Sequence, residues 1–458
     1  MEEQDLAQIK EYQKKKTRIG RRSGVCPVRV FGFVFYGGKM KRSKLMILIF
    51  FLAMIFSCQR EKNPITPPVG GHIHPQVAIP WPSLAKSPWP MFHHDPQSTG
   101  RSPYRGPRKG RIKWSFKPDG WIHESIAIGP DSTIYFVSLW EQKSAKSSLY
   151  AIKPDGQLKW RYKFDQSVMD PDPLVAAGGT VYLPVPEGVW PDWAIYAISP
   201  DGTLKKKINP TDVEQIAAIT MGRDGMLYFT SNDGCFYAMA QDGTVLWKLT
   251  TQGGLWSKIP VFSPDGNTVY LYGGRSTPGL YAINIQNHTI KWHLTFKDSL
   301  YYYSDIPMVD NEGNIYLGID CIRSAENGNG FYSISPQGEI NWHYKVLASS
   351  SEEGTIDPEG NIYFQAGTVE NRLLAVNYDG NLRCQKNLND RWTSLLSDKD
   401  GVIYVFQPDL SAYTQDGNIL WNVHFEEQFT RITSAAIGYN GILYVGTFGP
   451  NSKLYAIE

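Results

Sequence analysis

The chain is poor in cysteine: five in 458 residues, at Cys26, Cys58, Cys235, Cys321 and Cys384. No two are adjacent or spaced as a CxxC pair, and no Cys/His cluster accompanies them, which argues against a disulfide framework and a zinc site. Helical periodicity is also missing, since no part of the body repeats apolar residues every 3.6 positions over a useful length. No apolar run is long enough for a comfortable transmembrane helix; the longest, Leu45 to Phe56, has 12 residues. There is no GxSxG elbow, HExxH pair or phosphate-cradling glycine loop, so the common hydrolase and nucleotide signatures are absent. A basic excess is lacking too. Residues 58–458 hold 34 Lys/Arg against 40 Asp/Glu, a balance that does not suggest a nucleic-acid binder.

What is present begins with a targeting pattern. Lys41, Arg42 and Lys44 precede the apolar run, which ends in Ile55-Phe56-Ser57-Cys58. A cationic start, a short apolar stretch and a small residue before cysteine resemble a bacterial lipoprotein signal. Residues 40–57 are therefore expected to be a signal peptide and Cys58 a lipid-attachment site. Residues 1–39 are expected to be a non-native or cleaved extension, because signals of this kind normally open the chain. Residues 58–88 are rich in proline and read as an extended tether, with a His72–His74 "HIH" that is better explained as linker than as a metal site.

From residue 89 to 458 the chain is a repeat array. One marker is a turn followed by an apolar-Tyr pair, as in "DNEGNIYL". Its tyrosines are Tyr135, Tyr182, Tyr228, Tyr270, Tyr316, Tyr363, Tyr404 and Tyr444, at spacings of 47, 46, 42, 46, 47, 41 and 40. A second marker, "LYAIKPDGQLKW" in its first copy, follows each of the first seven. Both alternate apolar and polar residues around a Gly-containing turn, which is a β-hairpin pattern. Two hairpins per period give four short strands, and such units bury both faces by stacking around an axis as propeller blades.

The eighth copy stops at "SKLYAIE", with three strands and no fourth. An orphan strand, "RIKWSF" at Arg111–Phe116, lies ahead of the first blade and matches the missing one. The fold class predicted is all-β: an eight-bladed propeller of four-stranded antiparallel blades, closed by an N-terminal strand that completes the last blade. Trp114, Trp160, Trp247, Trp292, Trp342 and Trp421 recur at the matched position of the fourth strand, with Lys206 and Cys384 as exceptions. A large flat side chain recurring there is expected to dock neighbouring blades.

Eight blades, the LYAI-x-PDG-x-LKW repeat and the docking Trp resemble the quinoprotein (PQQ-like) β-propeller superfamily, which includes PQQ-dependent alcohol dehydrogenases and BamB-type lipoprotein scaffolds. The segment "WPMFHHDPQSTGRSPYRGP" at Trp89–Pro107 resembles the stretch that commonly precedes such propellers. The enzymes of this superfamily carry vicinal cysteines, calcium ligands and a catalytic Asp. Here no cysteines are adjacent, and the candidate carboxylates Glu124, Asp172, Asp305 and Glu353 are spread over four blades. No catalytic residue, metal or cofactor is therefore assigned.

The reading favoured is a non-catalytic binding scaffold in the bacterial cell envelope. It is expected to be held to a membrane by its N-terminal lipid, to be a monomeric ring, and to bind an envelope protein rather than nucleic acid. A glycan-binding surface lipoprotein and a PQQ-dependent dehydrogenase are the alternatives. Binding is expected on the face formed by the connections between fourth and first strands and between second and third strands. There the irregular aromatics gather: Trp121, His123, Trp190, Trp193, Trp256, Tyr301, Tyr302, Tyr303, Arg391 and Trp392.

Overall fold

A computed structural model describes the chain from residue 73 onward, except 140–145, 169–171, 188–191, 211–212, 214, 252–258, 274–278, 297–301, 305, 322–329, 347–352, 367–370, 389–393, 426–428 and 430. Cys58 and the signal and extension ahead of it lie outside the described residues.

The blades follow the repeat. Eight antiparallel sheets form an eight-bladed β-propeller, and no helix occurs among the described residues. In the first blade, Trp121–Ile128, Ile134–Leu139, Ser148–Ile152 and Leu158–Lys163 pair in chain order. The second and third strands of a blade are apolar on both faces, as in "IYFVSL" and "SLYAI", and are buried throughout. A sheet sandwiched between neighbours needs that composition. The fourth strand, at the rim, is half-exposed. The eighth sheet is assembled from both ends of the array. Arg431–Ile437, Leu443–Phe448 and Leu454–Ile457 are completed by Ile112–Phe116, with Trp114 opposite Ala456 and Phe116 opposite Leu454.

The third and fourth strands share an irregularity in every blade. The register shifts one residue before the tryptophan position, as between Ala151/Trp160 and Ile152/Leu158, and likewise in the closing pair. The docking residue then reaches the turn between third and fourth strands of the next blade. Indole N–H groups of Trp114, Trp160 and Trp292 donate to the carbonyls of Pro154, Pro200 and Pro336, at 3.1, 2.8 and 2.9 Å. Trp342 donates to Tyr378, and Trp421 donates to Pro107 beside the closing strand. Lys206, standing where a tryptophan is missing, donates from Nζ to the Asp242 carbonyl at 2.7 Å.

The ring plane lies on the turn's left-handed residue. A Cβ on Gly156, Gly202, Gly338 or Gly380 would come within 2.6–2.9 Å of the indole it faces. Those glycines have φ of +80° to +89°, so glycine is required twice over. In the fourth blade the equivalent residue is His288, at φ 59°, and Trp247 stacks on its imidazole at 4.5 Å.

A second element, ahead of the blades, crosses the axis. The segment from Trp81 to Tyr104 forms a strap that touches all eight blades. Backbone N–H groups of Ile128, Val175, Phe262, Val309, Ile356 and Ser397 donate to the carbonyls of Trp89, Pro90, Pro96, Gln97, Thr99 and Gly100, at 2.6 to 3.1 Å. Each donor is the last residue of its blade's first strand. The third and eighth blades are reached by side chains: the Trp81 indole donates to the Met221 carbonyl, and the Tyr439 hydroxyl to that of Lys86. The path bends through left-handed His93, His94 and Ser98, with φ of 53°, 79° and 54°. Such conformations are sparsely populated for residues with a Cβ and persist only where the surroundings over-determine them. Arg108 fixes the strap's far end by an ion pair of 2.6 Å to buried Asp398. Gln76 just ahead of the strap, and Trp81, Leu84 and Ala85 within its first turn, are also buried, so the second half of the Pro-rich stretch is packed against the ring.

Three outcomes are expected in unfolding measurements. Removing either Leu454–Glu458 or Arg111–Phe116 opens the ring and lowers Tm sharply; an unchanged Tm would contradict the shared eighth blade. Gly202→Ala, forcing a Cβ against Trp160, costs about 2–3 kcal/mol in denaturant titration. The third outcome concerns pH. Burial pushes the His93 imidazole below its ordinary value, against a raising contribution from the Ser98 carbonyl. The unfolded chain takes up a proton that the folded chain refuses, so this residue's contribution is present at neutral pH and declines as pH falls below about 6.5. Tm measured at both ends of that window is expected to fall less in His93→Gln than in the parent chain.

Candidate functional site

Two places on the ring bring chemistry-bearing side chains together. The first is axial. Trp89, Phe92 and His93 of the strap meet Ser125, Glu353, Ser394 and Ser434, which lie in or just ahead of the first strands of four blades, around a cavity of about 10 Å³. That is room for roughly one water molecule. His93 Nδ1 lies 2.7 Å from the Ser98 carbonyl, and the imidazole is held neutral by burial. The hydroxyl of Ser434 accepts from the Ile126 amide at 2.9 Å. The buried Ser125 hydroxyl has no hydrogen-bond partner among the described residues, which suits one trapped water.

The quinone and calcium implied by the fold's enzymes do not fit this cavity. It is too small for a fused aromatic quinone, and no group of three or more His, Cys, Asp or Glu that could hold a metal occurs among the described residues. Asp172 is buried in the second blade, while Asp305 and the side chain of Glu124 lie outside the described residues. Of the two whose side chains are described, Glu353 lines the cavity and Asp172 does not.

The second place is the closing seam between the eighth and first blades. Trp121 and His123 open the first strand of blade one, and Phe448 ends the second strand of blade eight. Trp121 and His123 meet the Phe448 ring edge-to-face at 5.1 and 5.2 Å. The Arg431 guanidinium sits 5.7 Å from the same ring. Trp121, His123 and Arg431 are half-buried, so the group forms a part-exposed aromatic step with one permanent cation. Aromatic anchors beside an arginine are the combination enriched in recognition surfaces.

The other residues singled out in the sequence do not join this step. Trp193 is 5% exposed and packs in the core shared by the second and third blades and the strap, where it opposes Pro186. Tyr302 and Tyr303 lie in a short strand, Tyr302–Ser304, which adds a fifth strand to the fifth blade opposite Ile319 to Cys321; their side chains lie outside the description. Trp190, Trp256, Tyr301, Arg391 and Trp392 also lie outside the described residues. Phe448 and Arg431 were missed by sequence reasoning. They sit at strand ends in blade eight, and only the seam places them opposite Trp121. His93 was missed as well; the strained, aromatic-rich strap was its only signal.

Residues 192–405 match the profile of the family described as "Outer membrane protein assembly factor BamB". No curated protein matches the chain in sequence. Among solved structures, the quinohemoprotein alcohol dehydrogenase from Comamonas testosteroni is similar with a TM-score of 0.61 and 13% identity, over 82% of this chain and 81% of that one. BamB from Moraxella catarrhalis is similar with a TM-score of 0.54 and 13% identity, over 76% of this chain and 99% of that one. The C-terminal WD40 domain of Sif2 gives 0.58 and 9%, over 77% and 99%. At these identities the structures show the fold alone. The repeat and the eight-bladed ring are those of the PQQ-like β-propeller superfamily, to whose BamB profile residues 192–405 are similar.

Proposed function

We propose that this protein is a non-catalytic binding propeller of the bacterial cell envelope, anchored through a lipid on Cys58 and recognising an envelope protein. The observation that carries the reading is the contrast between the two candidate places. The axial cavity has room for about one water and none for a quinone, whereas the seam offers Trp121, His123, Phe448 and Arg431 in a part-exposed group. The matched profile, described by an outer-membrane assembly factor, supports the same direction. In this reading the lipid holds the ring at a membrane surface without crossing it. Trp121 is the aromatic anchor and Arg431 sets the charge preference of the partner. Trp190, Trp256, Tyr301, Tyr302, Tyr303, Arg391 and Trp392 extend the same working face, while Trp193 contributes by holding the second blade's end in place.

Cross-linking of the full chain in intact envelopes, followed by solubilisation and capture, tests the proposal. Recovery of envelope assembly proteins is expected. Trp121→Ala and Arg431→Glu are each expected to reduce that recovery about tenfold or more with Tm changed little, in keeping with truncation of a binding anchor. Binding to polysaccharide without any protein partner would favour the glycan alternative. Dye reduction on adding PQQ and calcium would overturn the non-catalytic reading.

A further inference from the structure

Every blade ends on an outer strand that forms a sheet edge, from Ile112–Phe116 and Leu158–Lys163 round to Ile419–Val423. Together the eight outer strands hold twelve Lys or Arg and not one Asp or Glu. Residues 58–458 as a whole have more acids than bases, 40 against 34, so the rim is sorted by charge. Part of this sorting serves the fold. Lysines on an edge discourage other edges from pairing with it. Several cations are also used internally: Arg161 and Lys248 lie over Tyr150 and Tyr237 on the adjacent strand, at 5.1 and 5.7 Å.

Lys207 likewise lies over Tyr196, at 5.6 Å, but that leaves two further lysines on the rim of the second blade. Its outer strand, Leu204–Ile208, reads LKKKI, and its first four residues are all exposed. Lys206 replaces the docking tryptophan, and Lys207 pairs with Glu187 at 2.5 Å. Lys205 is exposed and has no partner among the described residues. Three consecutive lysines on a strand put cations on both faces of the sheet, because neighbouring side chains alternate. An added strand would therefore meet positive charge whichever way its own carboxylates point.

We propose that the outer strand of the second blade is a docking edge for an extended, acidic segment of a partner protein, which adds to the sheet as a fifth strand. This deepens the scaffold reading and rests on it. The edge offers backbone hydrogen-bonding groups, cations on both faces, and an exposed aliphatic end at Leu204, 41% exposed. Acidic segments are selected, and other copies of the ring are rejected, since none of its eight outer strands carries a carboxylate.

The test uses the full chain and a short labelled peptide alternating Glu and Val, read by fluorescence anisotropy at low and high salt. Salt-sensitive binding is expected, weakened about tenfold or more in Lys205→Glu, where a like charge now faces the peptide. The same peptide N-methylated at alternate residues should bind far more weakly, because it cannot complete a ladder of backbone hydrogen bonds. A Lys-Val peptide should not bind. The proposal is overturned if the acidic peptide fails to bind, if the Lys-Val peptide binds equally, or if N-methylation or Lys205→Glu leaves affinity unchanged. Envelope cross-linking separates this inference from the reading beneath it. Undiminished recovery of partners by Lys205→Glu would overturn the docking edge and leave the scaffold standing, whereas recovery of no protein by the parent chain would overturn the scaffold itself.

Discussion

An indole laid flat on a left-handed turn is the contact on which this ring depends. A blade alone has two apolar faces and cannot be stable in water, so neighbouring blades must be held in one angular relation. The bulge before each docking position turns the fourth strand so that its side chain reaches the next blade. The glycine beneath it admits the ring plane, and the nearby carbonyl accepts the indole N–H. Hydrophobic contact is tolerant of direction, while the hydrogen bond is not. Pairing them at one point fixes the angle between blades. Where the indole is missing, Lys206 keeps the hydrogen bond without the plate, and Cys384 has its sulfur near the Gln415 carbonyl at 3.9 Å.

Rigid seams make the two ends of the axis unequal. On one side the strap satisfies the amide at the end of the first strand in six blades and fills the space with Trp89, Met91 and Phe92. That end is a core. On the other side, where the first strands begin, the aromatic step at Phe448 is found.

Much of this was legible because the repeat is strict. Eight tyrosines at nearly constant spacing, and turns that demand glycine, are local signals that survive without any tertiary context. Closure was legible for the same reason: "RIKWSF" is recognisable as a fourth strand wherever it occurs. The strap was not. Its Pro-rich composition reads as a tether, yet Trp81 and Leu84 are buried, because a segment without internal periodicity can still be ordered by what it lies against. Aromatics outside the strands were ambiguous in kind. Trp121 and Trp193 look alike in sequence, but one edges an exposed step and the other fills a core. Only burial in the folded ring separates them.

The shared eighth blade also sets a timetable. Arg111 and Glu458 meet across 347 residues of sequence, while the hairpins within each blade form between near neighbours. Local pairs close early, and a loop of this length closes late. Until Leu454–Ile457 is available, the strand at Ile112–Phe116 has nothing to pair with, and two blade faces rich in isoleucine and tyrosine stay uncovered. The strap cannot complete its hydrogen bonds earlier, since its partners belong to all eight blades. An arc not yet closed would leave those two faces exposed to misassociation. Once the arc shuts, seam and strap engage together, and unfolding must break both before any single blade can leave.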